Sequence, residues 1–485
     1  MSRHPGQRGR RRALRQLGGA LGAWASGLAV PAWAQGYGAR APSPPASDPV
    51  AAAAAPQPAP VPGSSATDGS EVRLALLLGN RQYPEPFDLP PIPKNLRDLK
   101  GALEHRGFQV TDALDRDLAS SRAAIDGFIR LAQTAPPNAT LLFYFSGHGV
   151  QIDSANLLLP AGLSPALQSD AMRKGSLQLL SDVVGRLPER PQGQVIAVVD
   201  ACRTTLKQAT EDAGLNQVEA PPGCVIAFST GAGRPAIAPA VETQNTFYTG
   251  SLVRLLASTS DETSFSELFQ LVKQDVRETM LKHPVEAIRK LAQDPFIADN
   301  SRSRVTLAPR SVRETRGPRF ANRNEEADWQ RLQEATWPPE VLQLADAYLR
   351  DHPDSKLAGA AKVARTGSDN AARLLKRSDV RLYKSAFQLQ DGLSEDERRD
   401  IARAGIGDKD AAARMGRRAM AKGGAGLQRY EGWLQYASAL GNGIAAYELA
   451  LHYRRQEQPV MASRYESIAR ELGYNPPTSL DNVRK

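Results

Sequence analysis

Cysteine is scarce in this chain. There are two, Cys202 and Cys224, among 485 residues. A protein of this size with so few is not held together by disulfides. Acidic residues are missing from the first 34 positions, which carry six arginines: Arg3, Arg8, Arg10, Arg11, Arg12 and Arg15. The net charge of +9 owes six units to that stretch, and the remaining +3 is an ordinary balance. A nucleic-acid partner is therefore not expected. Past the N-terminus no run is long and apolar enough to cross a bilayer. No metal and no cofactor is expected.

The N-terminus has the order of a secretory signal. A basic start ends at Arg15, a small apolar stretch covers 17–30, and Pro31-Ala32-Trp33-Ala34 offers an Ala-x-Ala cleavage site. The apolar stretch is too short and glycine-rich to anchor stably. Residues 1–34 are expected to be removed, leaving a periplasmic or secreted protein with no stable membrane span. Arg11-Arg12 resembles a twin-arginine signal only loosely. Residues 35–70, rich in Ala, Pro, Ser and Gly, read as a disordered linker.

From 71 to 299 the pattern changes. Short apolar runs at 74–78, 141–145, 195–199 and 225–228 read as strands buried on both faces. Helical spacing over 95–106, 121–132 and 177–187 separates them. Alternation of this kind predicts an α/β domain with a mainly parallel sheet flanked by helices. Residues 300–325 are Arg-rich without apolar periodicity and read as a second linker. A helical segment follows at 326–377, with a break at Pro338-Pro339.

Residues 378–485 repeat themselves. Ile406-Gly407-Asp408, Leu440-Gly441-Asn442 and Leu472-Gly473-Tyr474 recur at intervals of 34 and 32 residues. Ala411, Ala412 and Met415 match Ala445, Ala446 and Leu449, and Trp433, Tyr436 and Ala437 match Tyr465, Ile468 and Ala469. A period near 34 with small residues at helix contacts resembles tetratricopeptide-like helical hairpins. From Ser378 onward no His, Cys or acidic cluster has ligand or triad spacing. The hairpins are expected to bind or position a protein partner, the plainer alternative being that they only cover one side of the α/β domain.

Two strands end in reactive groups. The run beginning at Leu141 leads into Ser146-Gly147-His148-Gly149, and the run beginning at Val195 leads into Asp200-Ala201-Cys202-Arg203. Open α/β sheets place their sites at the carboxyl ends of strands. If these strands are parallel neighbours, His148 can draw the proton from Cys202, and the thiolate is the form that attacks a carbonyl. The amides of Gly149 and Cys202 are candidates for an oxyanion hole. Cys224 begins a strand whereas Cys202 ends one, roughly 15 Å away at 3.3 Å per residue, beyond disulfide reach.

These motifs resemble the caspases, and more closely the metacaspase-like cysteine peptidases of bacteria. The opening Ala75-Leu76-Leu77-Leu78-Gly79-Asn80-Arg81-Gln82-Tyr83, the histidine and cysteine motifs, Ala220-Pro221-Pro222-Gly223 and the stretch from Asn245 to Leu252 occur in the family's order. The step of 54 positions from His148 to Cys202 is near caspase spacing. The resemblance spans about 72–297. It implies an endopeptidase with a His148–Cys202 pair, and a primary specificity pocket lined by Asp200 that takes Arg or Lys. Ser146 is assigned to substrate binding beside it. The chain departs from relatives at Asn95, where an acid is common, and at Arg203-Thr204-Thr205, where many metacaspases carry His-Ser-Gly. The alternative is a catalytically retired domain of the same fold that presents the hairpins as a scaffold. A weaker third reading is a hydrolase of that fold with a non-peptide substrate.

Overall fold

A computed structural model describes residues 71–474 and 476, apart from 153–154, 204–216, 232–235, 238, 240, 310–319 and 425; of Cys202 and Arg203 it describes the backbone alone. The expected signal peptide and first linker lie outside the described residues.

The sheet runs β2 (Gln109–Leu114), β1 (Arg73–Gly79), β3 (Thr140–Ile152), β6 (Gln194–Arg203), β7 (Cys224–Phe228), β8 (Phe296–Asp299). All neighbours on this path are parallel except β7 and β8. A short antiparallel wing, β4 (Ala155–Leu158) and β5 (Leu177–Gln178), folds off β3.

Period-two alternation explains why the strands read as unbroken apolar runs: each face is buried in its own layer. Leu74, Leu76, Leu78, Leu141, Phe143, Phe145, Val195, Ala197 and Val199 pack on one side, against α2 (Leu118–Thr134). Ala75, Leu77, Leu142, Tyr144, Ile196 and Val198 pack on the other, against α1 (Ile92–His105), α4 (Phe247–Ser258) and α5 (Phe265–Leu281). Among the remaining helices of this domain are α3 (Ser169–Gly175) and α6 (Glu286–Lys290).

Two sequence expectations change. The helix expected over 177–187 is shorter and not an α-helix: Leu177–Gln178 is a strand, followed by one π-helical turn over Leu179–Val183 and one 3-10 turn over Val184–Arg186. The Asp182 carboxylate accepts from the Gln178 amide at 2.9 Å, satisfying the free N–H at the start of this helical stretch. The second linker also starts later than residue 300. Val305 and Leu307 belong to the core. The buried Arg73 guanidinium donates to the carbonyls of Thr306, Leu307 and Ala308 at 2.7, 2.7 and 3.0 Å. A buried cation needs acceptors, and this irregular stretch supplies main-chain ones, which leave no periodic trace in sequence.

The C-terminal region is helical: α7 (Arg323–Glu334), α8 (Pro338–Asp351), α9 (Ala358–Leu374), α10 (Glu395–Gly405), α11 (Lys409–Lys422), α12 (Gly426–Ala439), α13 (Gly443–Arg455) and α14 (Pro459–Glu471). Pro338 opens α8 at a position where its missing N–H costs nothing. The repeated tripeptides are turns of one design. Gly407, Gly441 and Gly473 have φ of 81°, 103° and 79°. After each, the amide of Asp408, Asn442 or Tyr474 donates five residues back, to Arg403, Ala437 or Ala469. Asp408 and Asn442 then cap the next helix. The matched residues Ala411, Ala412, Met415, Ala445, Ala446 and Leu449 meet in one core.

These hairpins dock on the α/β domain along β8 and the strand's flank. Lys409 Nζ donates to the Ile297 carbonyl at 2.9 Å and lies 4.2 Å from the Phe296 ring centroid. Arg403 pairs with the Asp299 carboxylate at 3.0 Å, and Arg403 and Arg414 both donate to its carbonyl. The Asp299 amide donates to Asp410 at 3.2 Å. Gln217 bridges the repeat turns, donating to Gly441 and Leu472 at 2.9 Å each and accepting from the Gly443 amide at 2.7 Å. Among the described residues no helix is long and apolar enough to cross a membrane.

Candidate active site

Strands β3 and β6 run side by side through both motifs. Their register pairs Ser146 with Asp200, Gly147 with Ala201, His148 with Cys202 and Gly149 with Arg203. The expected meeting of the two strand ends is thus a direct opposition of backbone positions. Gly149 is buried and also pairs with Leu158 across the β3–β4 hairpin.

His148 is 6% exposed. Its Nε2 lies 2.7 Å from the Phe87 carbonyl. A carbonyl only accepts, so Nε2 carries the hydrogen and Nδ1 holds the lone pair. Nδ1 is buried and has no hydrogen-bond partner among the described residues. Burial pushes the imidazole pKa below its ordinary value, with the Phe87 carbonyl opposing in part. The ring is therefore held neutral, as a proton acceptor. Tyr83 and Phe87 meet it edge-on, with centroids 4.5 and 6.2 Å away.

Asp200 is 5% exposed and lies at the N-terminal end of α4. Its Oδ2 accepts from the hydroxyls of Thr246 and Thr249, the latter at 2.5 Å. Behind them, Tyr144 lies 2.6 Å from the Thr249 hydroxyl. Asn95 donates to the Thr246 hydroxyl at 3.1 Å and to Ser146 at 3.3 Å, and accepts from the Thr246 amide at 3.1 Å. Burial raises the Asp200 pKa, and the two threonine hydroxyls pull it back in part. An acid at position 95 would set a second charge into the same buried network, whereas Asn95 supplies a donor and an acceptor. Ser146 is fully buried, and its hydroxyl accepts from Asn95. Asp98 is held by Lys94 and Asn245 at 2.5 and 3.0 Å, not by Asp200.

Tyr83, Phe87, Thr246 and Thr249 were not singled out as site residues from the sequence. Thr246 had a legible signal, as a capping residue ahead of an apolar helix. The Phe87 contact is made by a main-chain carbonyl, which any residue could offer. Among the described residues no cluster of His, Cys, Asp and Glu could hold a metal ion.

A parallel sheet that sets a neutral, buried histidine opposite a cysteine at its strand ends is the architecture of a cysteine-peptidase domain. Residues 72–305 match the family model of the caspase domain, and this part of the chain belongs to that family. The match runs beyond residue 299, in keeping with the packing of Val305. No curated protein matches the chain.

Proposed function

We propose that the protein is an exported cysteine endopeptidase that cleaves after Arg or Lys by a His148–Cys202 dyad. The observation that carries this reading is the buried Nδ1 of His148, without a hydrogen-bond partner among the described residues, on the position opposite Cys202. Nδ1 takes the Cys202 thiol proton, and the thiolate adds to the scissile carbonyl carbon. The oxyanion formed is met by the amides of Gly149 and Cys202. The imidazolium returns its proton to the leaving amine as the C–N bond breaks. Water, deprotonated by the same nitrogen, then hydrolyses the thioester.

Asp200 pairs with the substrate's basic side chain, whose charge offsets the cost of ionising a buried carboxyl. Export rests on the order of features within residues 1–34. The C-terminal hairpins recruit the substrate or another protein in this reading. The second reading, a retired scaffold, is favoured by Asn95 standing where relatives often carry an acid. Purified protein lacking residues 1–34, given Arg, Lys and Asp peptide reporters beside a Cys202→Ala control, separates the two. Turnover of Arg and Lys reporters, lost in the control, supports the peptidase; no turnover of any reporter leaves the scaffold.

A further inference from the structure

Antiparallel neighbours exchange paired N–H···O bonds at every second position. The β3–β4 register, Gly149 with Leu158, places His148 opposite Leu159 at the next rung. Only half of that rung is direct: the Leu159 amide donates to the His148 carbonyl at 3.0 Å. The other half passes through a side chain. The His148 amide donates to the Tyr83 hydroxyl at 3.1 Å, and the hydroxyl donates to the Leu159 carbonyl at 2.9 Å. Asn80 donates to the same carbonyl at 3.0 Å. The hydroxyl is a wedge in the ladder, and a Cβ on Gly147 would come within 2.7 Å of it.

We propose that Tyr83 is a positioning residue, its hydroxyl holding β3 open at the His148 rung so that the imidazole and the neighbouring Gly149 are set toward Cys202. Two contacts on one residue fix one geometry: the hydroxyl sets the main chain of His148, and the ring edge sets its imidazole. Misplacing a catalytic group by a fraction of its reach lowers the rate of chemistry more than it lowers binding. The proposal rests on the dyad reading above.

Tyr83→Phe keeps the ring and deletes the wedge. In the full chain, the His148 amide should exchange with solvent faster while the Leu159 amide stays protected. For an Arg reporter, kcat should fall by about five-fold or more with KM changed by less than about two-fold. Alkylation of Cys202 by iodoacetamide should slow in parallel. Faster exchange with kcat and alkylation unchanged would reduce Tyr83 to a packing residue, and unchanged exchange would remove the wedge itself. If the wild-type protein cleaves no reporter, slower alkylation in Tyr83→Phe keeps the positioning role while the peptidase reading falls. Should Tyr83→Phe not fold, Gly147→Ala crowds the hydroxyl off its rung, and wild-type alkylation in that variant overturns the proposal.

Discussion

His148 and Cys202 occupy opposed register positions on β3 and β6, while Cys224 pairs with Val195 at the far end of β6. Cys202→Ala or His148→Ala should abolish peptidase activity without unfolding the domain, as read by circular dichroism. Activity retained in Cys202→Ala but lost in Cys224→Ala would reverse the assignment.

The second thiol should be silent. Burial pushes the Cys224 pKa up to about 12, so almost none of it is thiolate at neutral pH. Brief iodoacetamide treatment of the native protein, read by peptide mass spectrometry, should label Cys202 and spare Cys224. Equal labelling would contradict the burial argument.

Acid should act through His148. Its pKa is lowered in the fold, so the unfolded chain takes the proton more readily. The associated stability is complete above about pH 6.5 and declines as pH falls below that value. The acid limb of kcat/KM should likewise lie below about pH 6.5. A limb above that value, or a urea midpoint in the wild type that falls no faster with acid than in His148→Gln, would be the contrary result.

Asp200 carries the opposite shift. Its folded pKa is raised, so the stability it contributes belongs to the protonated form and is lost as pH rises through the raised value. A bound guanidinium favours the ionised form. KM for an Arg reporter should therefore fall as pH rises through that value, and KM for a neutral reporter should not. Asp200→Asn should remove the dependence and weaken transition-state binding of Arg reporters by about 2–4 kcal/mol. A shared pH profile for both reporters in the wild type would exclude the pairing.

The hairpins should prove hard to remove. A chain ending after Ala308 leaves the Asp299 carboxylate without Arg403 and Gln217 without its three main-chain partners. The same deletion removes the Lys409, Asp410 and Arg414 contacts to β8 and opens that strand to water. The truncated protein should melt well below the full chain, as read by circular dichroism. Equal melting temperatures would restore the picture of a detachable module.

The strands were legible because burial on both faces writes itself as uninterrupted apolar residues. The repeat turns were legible because a positive φ selects glycine and a helix start selects Asp or Asn, as at Gly407-Asp408 and Gly441-Asn442. The opposition of His148 and Cys202 followed from two parallel apolar runs, although β3 does not end at His148 but continues to Ile152. What escaped depended on main-chain partners: the Phe87 carbonyl, and the carbonyls of 306–308 around Arg73. No pattern of side chains encodes those. Residues 177–187 were legible in part: the helical spacing is met from Leu179 by a π-helical and then a 3-10 turn, while Leu177–Gln178 is taken into the sheet by pairing with β4.

The border strand β8 has a consequence for what can approach the sheet. An open strand invites another to pair with it, from a substrate peptide or a second molecule, and such pairing is also how β proteins begin to aggregate. Here Lys409, Arg403, Arg414 and Asp410 engage main-chain groups of Ile297 and Asp299. Strand addition on that flank is blocked by charge as well as by bulk. One border of the sheet is thereby closed, and the protein has one fewer surface on which to polymerise.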